Sequence, residues 1–134
     1  KYEFPVSTSF NGTGCQEDSY KTPIGLHTVI SKIGAGLPQG TLFKNRRPTK
    51  RIVKLLPQDQ YDYITSRIIR LSGLEDDINK GGNVDTYNRY IYIHGTPHID
   101  RLGEPESHGC IRMSDDDVIT LFNAIEYKTL VLID

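Results

Sequence analysis

A few stretches of this chain alternate apolar and polar positions with a period of two between polar loops, and one stretch near the end keeps a helical period. Residues 26–33 alternate loosely and predict a strand. Residues 41–44 predict a short strand, and 130–133 a short apolar one. Residues 61–71 are ambiguous by period, but β-branched Ile64, Thr65, Ile68 and Ile69 favour strand over helix. Residues 89–93 read as the clearest strand, delivering His94 at its end. Alternation puts Tyr90 and Tyr92 on one face of it and Ile91 and Ile93 on the other, so the tyrosines line a groove or face water. Residues 2–9 suit a strand, with Pro5 suggesting an edge. Residues 10–25, 34–40, 76–85 and 97–106 read as loops. Residues 45–50 are basic, contain Pro48, and read as an exposed excursion.

The helix is well marked. Ser114 is placed to cap it, and Asp115, Asp116 and Asp117 suit its positive N-terminus. Val118, Leu121, Phe122 and Ile125 then recur at i, i+3, i+4 and i+7, giving one apolar face. The expected class is mainly β with one helix.

Length and charge narrow the function. The 134 residues suit one domain with a real core. Sixteen basic against 17 acidic residues give a net charge of −1, which argues against an electrostatic nucleic-acid binder. No window approaches the roughly 20 apolar residues of a membrane span, and no secretory signal is visible. Cys15 and Cys110 do not make a disulfide scaffold. Cys15 sits in a polar Gly-rich loop and reads as an incidental thiol.

The chemistry concentrates in Ser107-His108-Gly109-Cys110-Ile111-Arg112 and the upstream Ile93-His94-Gly95-Thr96. A thiol attacks as thiolate, and a free pKa of about 8.5 leaves little thiolate at neutral pH. A neighbouring imidazole can take the proton and later return it to a leaving amine. Glycine before the nucleophile lets the backbone turn tightly and aim N–H groups at a developing oxyanion. Taken singly, Cys110 also fits a buried structural thiol and His94 a satisfied structural histidine.

Together these residues resemble a known family. Residues 94–113 resemble the active-site signature of L,D-transpeptidases of the YkuD type, in which HGT precedes SHGC(I/V)R. Residues 20–27, with Thr22-Pro23-Ile24-Gly25, resemble the family's TPxG segment, a weak signal alone. Residues 4–9 resemble the strand before it. Family domains commonly open with a further strand hairpinned onto that one, and this chain starts almost at the second. The resemblance implies a YkuD-like mixed β-sandwich, with residues 1–134 as a single catalytic domain and the helix following the nucleophile loop.

It also implies roles. Cys110 would be the nucleophile and His94 the base and acid. The Gly95 carbonyl would hold the second ring nitrogen. His108 would shape the pocket, and Gly109 and Cys110 would supply oxyanion amides. Ser107 and Thr96 would brace the loops, Tyr92 would border the substrate, and Arg112 would clamp a substrate carboxylate. The implied partners are peptidoglycan stem peptides, with carbapenem-type β-lactams as acylating inhibitors, and the implied location is the cell envelope. No cofactor or metal is implied. His94, His98, His108 and Cys110 could in principle form a metal site, although Gly95 and Pro97 disfavour a helix carrying His94 and His98. A carboxypeptidase with water as acceptor, a metal hydrolase and a non-catalytic wall-binding module remain as alternatives.

Overall fold

The computed structural model describes residues 1–54 and 56–134. Among these, the strands are β1 (Gly25–Ile33), β2 (Thr41–Lys44), β3 (Arg47–Ile52), β4 (Ile64–Gly73), β5 (Tyr92–Thr96), β6 (Ile111–Ser114) and β7 (Leu130–Ile133). One α-helix, α1 (Asp115–Ala124), lies between β6 and β7. The mainly β class with a single helix is therefore observed.

All seven strands belong to one connected sheet that branches at β4. The run β3-β2-β4-β1-β7 is antiparallel, and β5 pairs with β4 and carries β6. The sheet is mixed because β5 and β6 run parallel, with Ile93 opposite Ile111 and His94 opposite Arg112. A parallel pair needs a crossover. Here residues 97–110 make it, so the nucleophile loop leads directly into β6.

Side-chain alternation gives the β5–β6 pair two faces. Ile93 and Met113 join Val29, Ile69, Leu71, Val118 and Phe122 in the main core beneath α1. Tyr92 turns the other way, into a smaller cluster with Phe43 and Ile68 against which Cys110 packs. Ser114 caps α1 as its sequence predicts, its hydroxyl accepting from the Asp117 amide at 3.1 Å.

Three expectations need correction. Residues 2–9 form no continuous strand. They touch the sheet through single bridges, Ser7 with Arg112 and Ser9 with Ser107. Residues 45–50 are largely exposed as expected, but they are a hairpin tip and strand, because β3 begins at Arg47 and pairs with β2. Pro48 is tolerated there because β3 is an edge strand. The strand expected at 89–93 starts only at Tyr92, after Tyr90 takes a positive φ of 57°. It continues through Gly95 and Thr96, which pair with β6, so His94 sits mid-strand.

Candidate active site

His94 projects from the centre of β5 and is fully buried. Its Nδ1 lies 2.7 Å from the Gly95 carbonyl oxygen, which fixes that nitrogen as the protonated one. Its Nε2 is buried and has no hydrogen-bond partner among the described residues. Burial pushes the imidazole below its ordinary value, outweighing the opposite pull of Asp62 and the Gly95 bond. Gly95 must be glycine: a Cβ there would run into the Thr65 carbonyl and lie 2.7 Å from Asp115 Oδ1.

Cys110 ends the loop one residue before β6. Its Sγ accepts from the Tyr92 backbone N–H at 3.3 Å and donates to the Tyr90 carbonyl at 3.4 Å. Burial pushes this thiol up to about 12, with the Tyr92 N–H the largest opposing influence. Burial therefore disfavours the charged form of both side chains.

The loop is held from within and from behind. Ser107 Oγ donates to the Cys110 carbonyl at 2.5 Å and accepts from the Gly109 amide at 3.2 Å. Thr22 Oγ1 donates to the Gly109 carbonyl at 2.9 Å and accepts from the Ser9 amide. Thr22 is thus a positioning residue, and the TPxG motif was the signal for it. Gly109 takes φ 125°, which disfavours any other residue.

The cleft, of about 420 Å³, is lined by Asn45, Arg46, Asp62, Tyr90, Tyr92, His108 and Cys110 among others. His108 is exposed and stands edge-on to Phe10 and Tyr20. A second cleft of about 280 Å³ shares Tyr90 and His108 with the first. Arg112 is not free in the cleft. It is 5% exposed, and its Nη2 lies 2.9 Å from Asp62 Oδ1. Thr96 is buried and accepts from the His98 amide at 3.2 Å, bracing the turn after β5. His98 faces elsewhere, with its Nε2 3.2 Å from the Tyr61 carbonyl. Among the described residues no three His, Cys, Asp or Glu side chains gather as metal ligands.

Asp115 has a second task beyond helix electrostatics. Its Oδ1 accepts from Thr65 and Ser66 hydroxyls, each at 2.6 Å, clamping α1 to a bulge in β4. That bulge lies opposite Gly95 and His94. Ser66 adopts φ 68° there, a strained value of the kind found beside functional sites. Asp62, Arg46 and Asn45 escaped sequence reasoning, because no periodicity or motif marks them.

The fold and site define a mainly β domain that sets a half-buried cysteine and a buried histidine along one face of a parallel strand pair. The chain belongs to the YkuD family, the L,D-transpeptidase catalytic domain, which it matches over residues 1–133. It is 46% identical over 48 residues to the Bacillus subtilis (strain 168) protein named "Putative L,D-transpeptidase YqjB", a match covering 36% of this chain and 27% of that one. An L,D-transpeptidase from Mycobacterium smegmatis shares the fold, with TM-score 0.56, 16% identity, and coverage of 100% of this chain and 49% of that one. Mycobacterium tuberculosis L,D-transpeptidase 3, solved with a faropenem-derived adduct, gives TM-score 0.53, 22% identity, and coverage of 96% and 43%. LdtMt1, solved in complex with imipenem, gives TM-score 0.57, 20% identity, and coverage of 100% and 49%. The chain therefore spans about half or less of these relatives' lengths. Among the described residues no helix is long and apolar enough to cross a membrane.

Proposed function

We propose that this domain transfers acyl groups between peptidoglycan stem peptides, with Cys110 as nucleophile and His94 as proton carrier. The observation that carries this reading is the imidazole of His94. One nitrogen is fixed by Gly95, and the other is buried, unpartnered and two residues along β5 from the amide that holds Cys110 Sγ.

The thiol proton rests on the Tyr90 carbonyl and passes to His94 Nε2 as Sγ attacks. The attacked carbonyl joins the third stem residue, an L-centre, to D-alanine at position four. The C–S bond forms, and charge develops on the carbonyl oxygen. The Cys110 amide meets that charge, and the Gly109 amide joins it by exchanging its long bond to Ser107. His94 then gives its proton to the departing D-alanine amine as the C–N bond breaks, leaving a thioester. An incoming amine reverses the sequence, giving its proton to His94 and releasing the Cys110 thiol. Removing one oxyanion donor typically costs about 2.7–4 kcal/mol of barrier.

The acceptor is a second stem, a free D-amino acid or a protein amine; water in its place gives a carboxypeptidase. By similarity to relatives solved with imipenem and a faropenem-derived adduct, carbapenem-type β-lactams acylate Cys110. The cell envelope, where the stem peptides lie, is the proposed location.

The test incubates the protein with disaccharide-tetrapeptide and excess D-methionine, followed by mass spectrometry, with Cys110→Ala in parallel. The expected products are dimers or D-methionine-exchanged tetrapeptide, absent with Cys110→Ala. Tripeptide alone would make the domain a carboxypeptidase. Turnover that survives in Cys110→Ala would sink the mechanism.

A further inference from the structure

We propose that Arg46, at the tip of the β2–β3 hairpin, is the receptor in this cleft for a carboxylate of the acyl donor. This assignment rests on the acyl-transfer reading of the same cleft. Arg112, the arginine next to the nucleophile in sequence, already spends its charge on Asp62 at 2.9 Å, and that is the one ion pair among the described residues. Arg46 lines the cleft with Cys110 and has no acidic partner among the described residues.

Its position is set by two tyrosines. Arg46 Nη1 donates to the Tyr92 hydroxyl at 3.0 Å, and the guanidinium lies 4.8 Å from the centre of the Tyr90 ring. The backbone N–H of that same Tyr92 lies 3.3 Å from Cys110 Sγ. Tyr92 thus meets the sulfur with its backbone and the guanidinium with its hydroxyl, which sets Arg46 in the cleft to meet a carboxylate several bonds from an attacked carbonyl. A guanidinium carries five N–H donors in a planar fork, and one is engaged by Tyr92, so a carboxylate can still be gripped by two.

The backbone supports the same assignment. Asn45 and Arg46 form the two-residue loop between β2 and β3, with φ 49° and 64°. Such turns favour Asn followed by Gly, because both residues need positive φ. Arginine stands where glycine is the comfortable choice. Departures from local preference of this kind are expected where a side chain has work in a site.

Beside the attacked bond, a donor stem with diaminopimelate as its third residue offers two carboxylates, one on that side chain and one at its D-alanine terminus. Both present the same group to Arg46, and the experiment separates them.

The first arm needs no transferase activity. Cys110 is alkylated with iodoacetate and with iodoacetamide in the wild type, Arg46→Gly and Arg46→Lys, and the labelled peptides are quantified. Arg46→Gly suits the turn, so it keeps the hairpin. The iodoacetate-to-iodoacetamide rate ratio at Cys110 is expected to fall roughly three- to tenfold in Arg46→Gly and to be largely retained in Arg46→Lys. Cys15 does not line the cleft and serves as internal control. An unchanged ratio at Cys110 overturns the assignment.

The second arm compares tetrapeptide donors amidated at the side-chain carboxylate or at the terminus. The wild type should lose about ten- to a hundredfold in kcat/KM for the donor missing the carboxylate that Arg46 holds. Arg46→Gly should treat that donor and the free one alike. The sensitive position identifies the source. Indifference of the wild type to both amidations, or a preference that survives in Arg46→Gly, overturns the assignment. If the wild type turns over no donor, the transfer reading fails, and the alkylation ratio alone decides Arg46.

Discussion

On one face of β5 and β6, Ile93 and Met113 pack against Val118 and Phe122 of α1; on the other, His94 and Tyr92 are buried and Cys110 is half-buried. Burial on the first face removes apolar surface from water, worth about 1.5–3 kcal/mol for a fully buried large side chain. On the second it holds titratable groups away from water, so they resist charge. Cys110 is pushed up to about 12 and His94 is pushed down, each chiefly by burial. One strand pair thus uses one physical cause for stability on one side and, on the other, to disfavour charge on the thiol and imidazole proposed as the proton couple. The price of the second use is visible as an unpartnered buried nitrogen on His94.

Substitutions on each face should separate the two uses. The largest expected effect is on the polar face. His94→Gln should lower acyl transfer about 10²–10⁴-fold, measured as product formed per folded molecule, with near-wild-type circular dichroism. Transfer within a few-fold of wild type would remove His94 from the proton path. On the apolar face, Phe122→Ala should lower stability by about 3–5 kcal/mol, read by urea denaturation. The pH profile of Cys110 alkylation in the folded fraction should not move. A shifted profile would mean the faces are not separable. The smallest effect should come from Ser114→Ala, which removes the cap at the junction of β6 and α1 and should cost about 1 kcal/mol. A loss of transfer activity without loss of stability would instead place Ser114 in the site's support.

Much of the apolar face was legible in the sequence. The period of Val118, Leu121 and Phe122 marks α1, and Ser114 marks its start. Residues 41–44 and 130–133 matched β2 and β7 because short apolar runs between turn residues have few other uses. The polar face was legible through its two motifs, since HGT lies on β5 and SHGC ends in the loop that leads directly into its partner β6. What escaped was long-range. Asp62 reaches Arg112 across 50 positions, and Arg46 reaches Tyr92 across 46. No local pattern encodes such pairings. The edge strand β3 was hidden by Pro48, whose cost vanishes only once its edge position is known. The shift of β5 from 89–93 to 92–96 reflects pairing with β6, a tertiary choice that overrides local alternation.

In the proposed mechanism Cys110 and His94 rest uncharged and exchange a proton only as Sγ attacks. Its most direct measurement is the rate of Cys110 alkylation by iodoacetamide from pH 6 upward, resolved from Cys15 by peptide mass spectrometry. With the thiol at about 12, the rate should climb about tenfold per pH unit, with no plateau while the protein stays folded. A plateau reached near neutral pH would show a preformed thiolate–imidazolium pair and contradict the account.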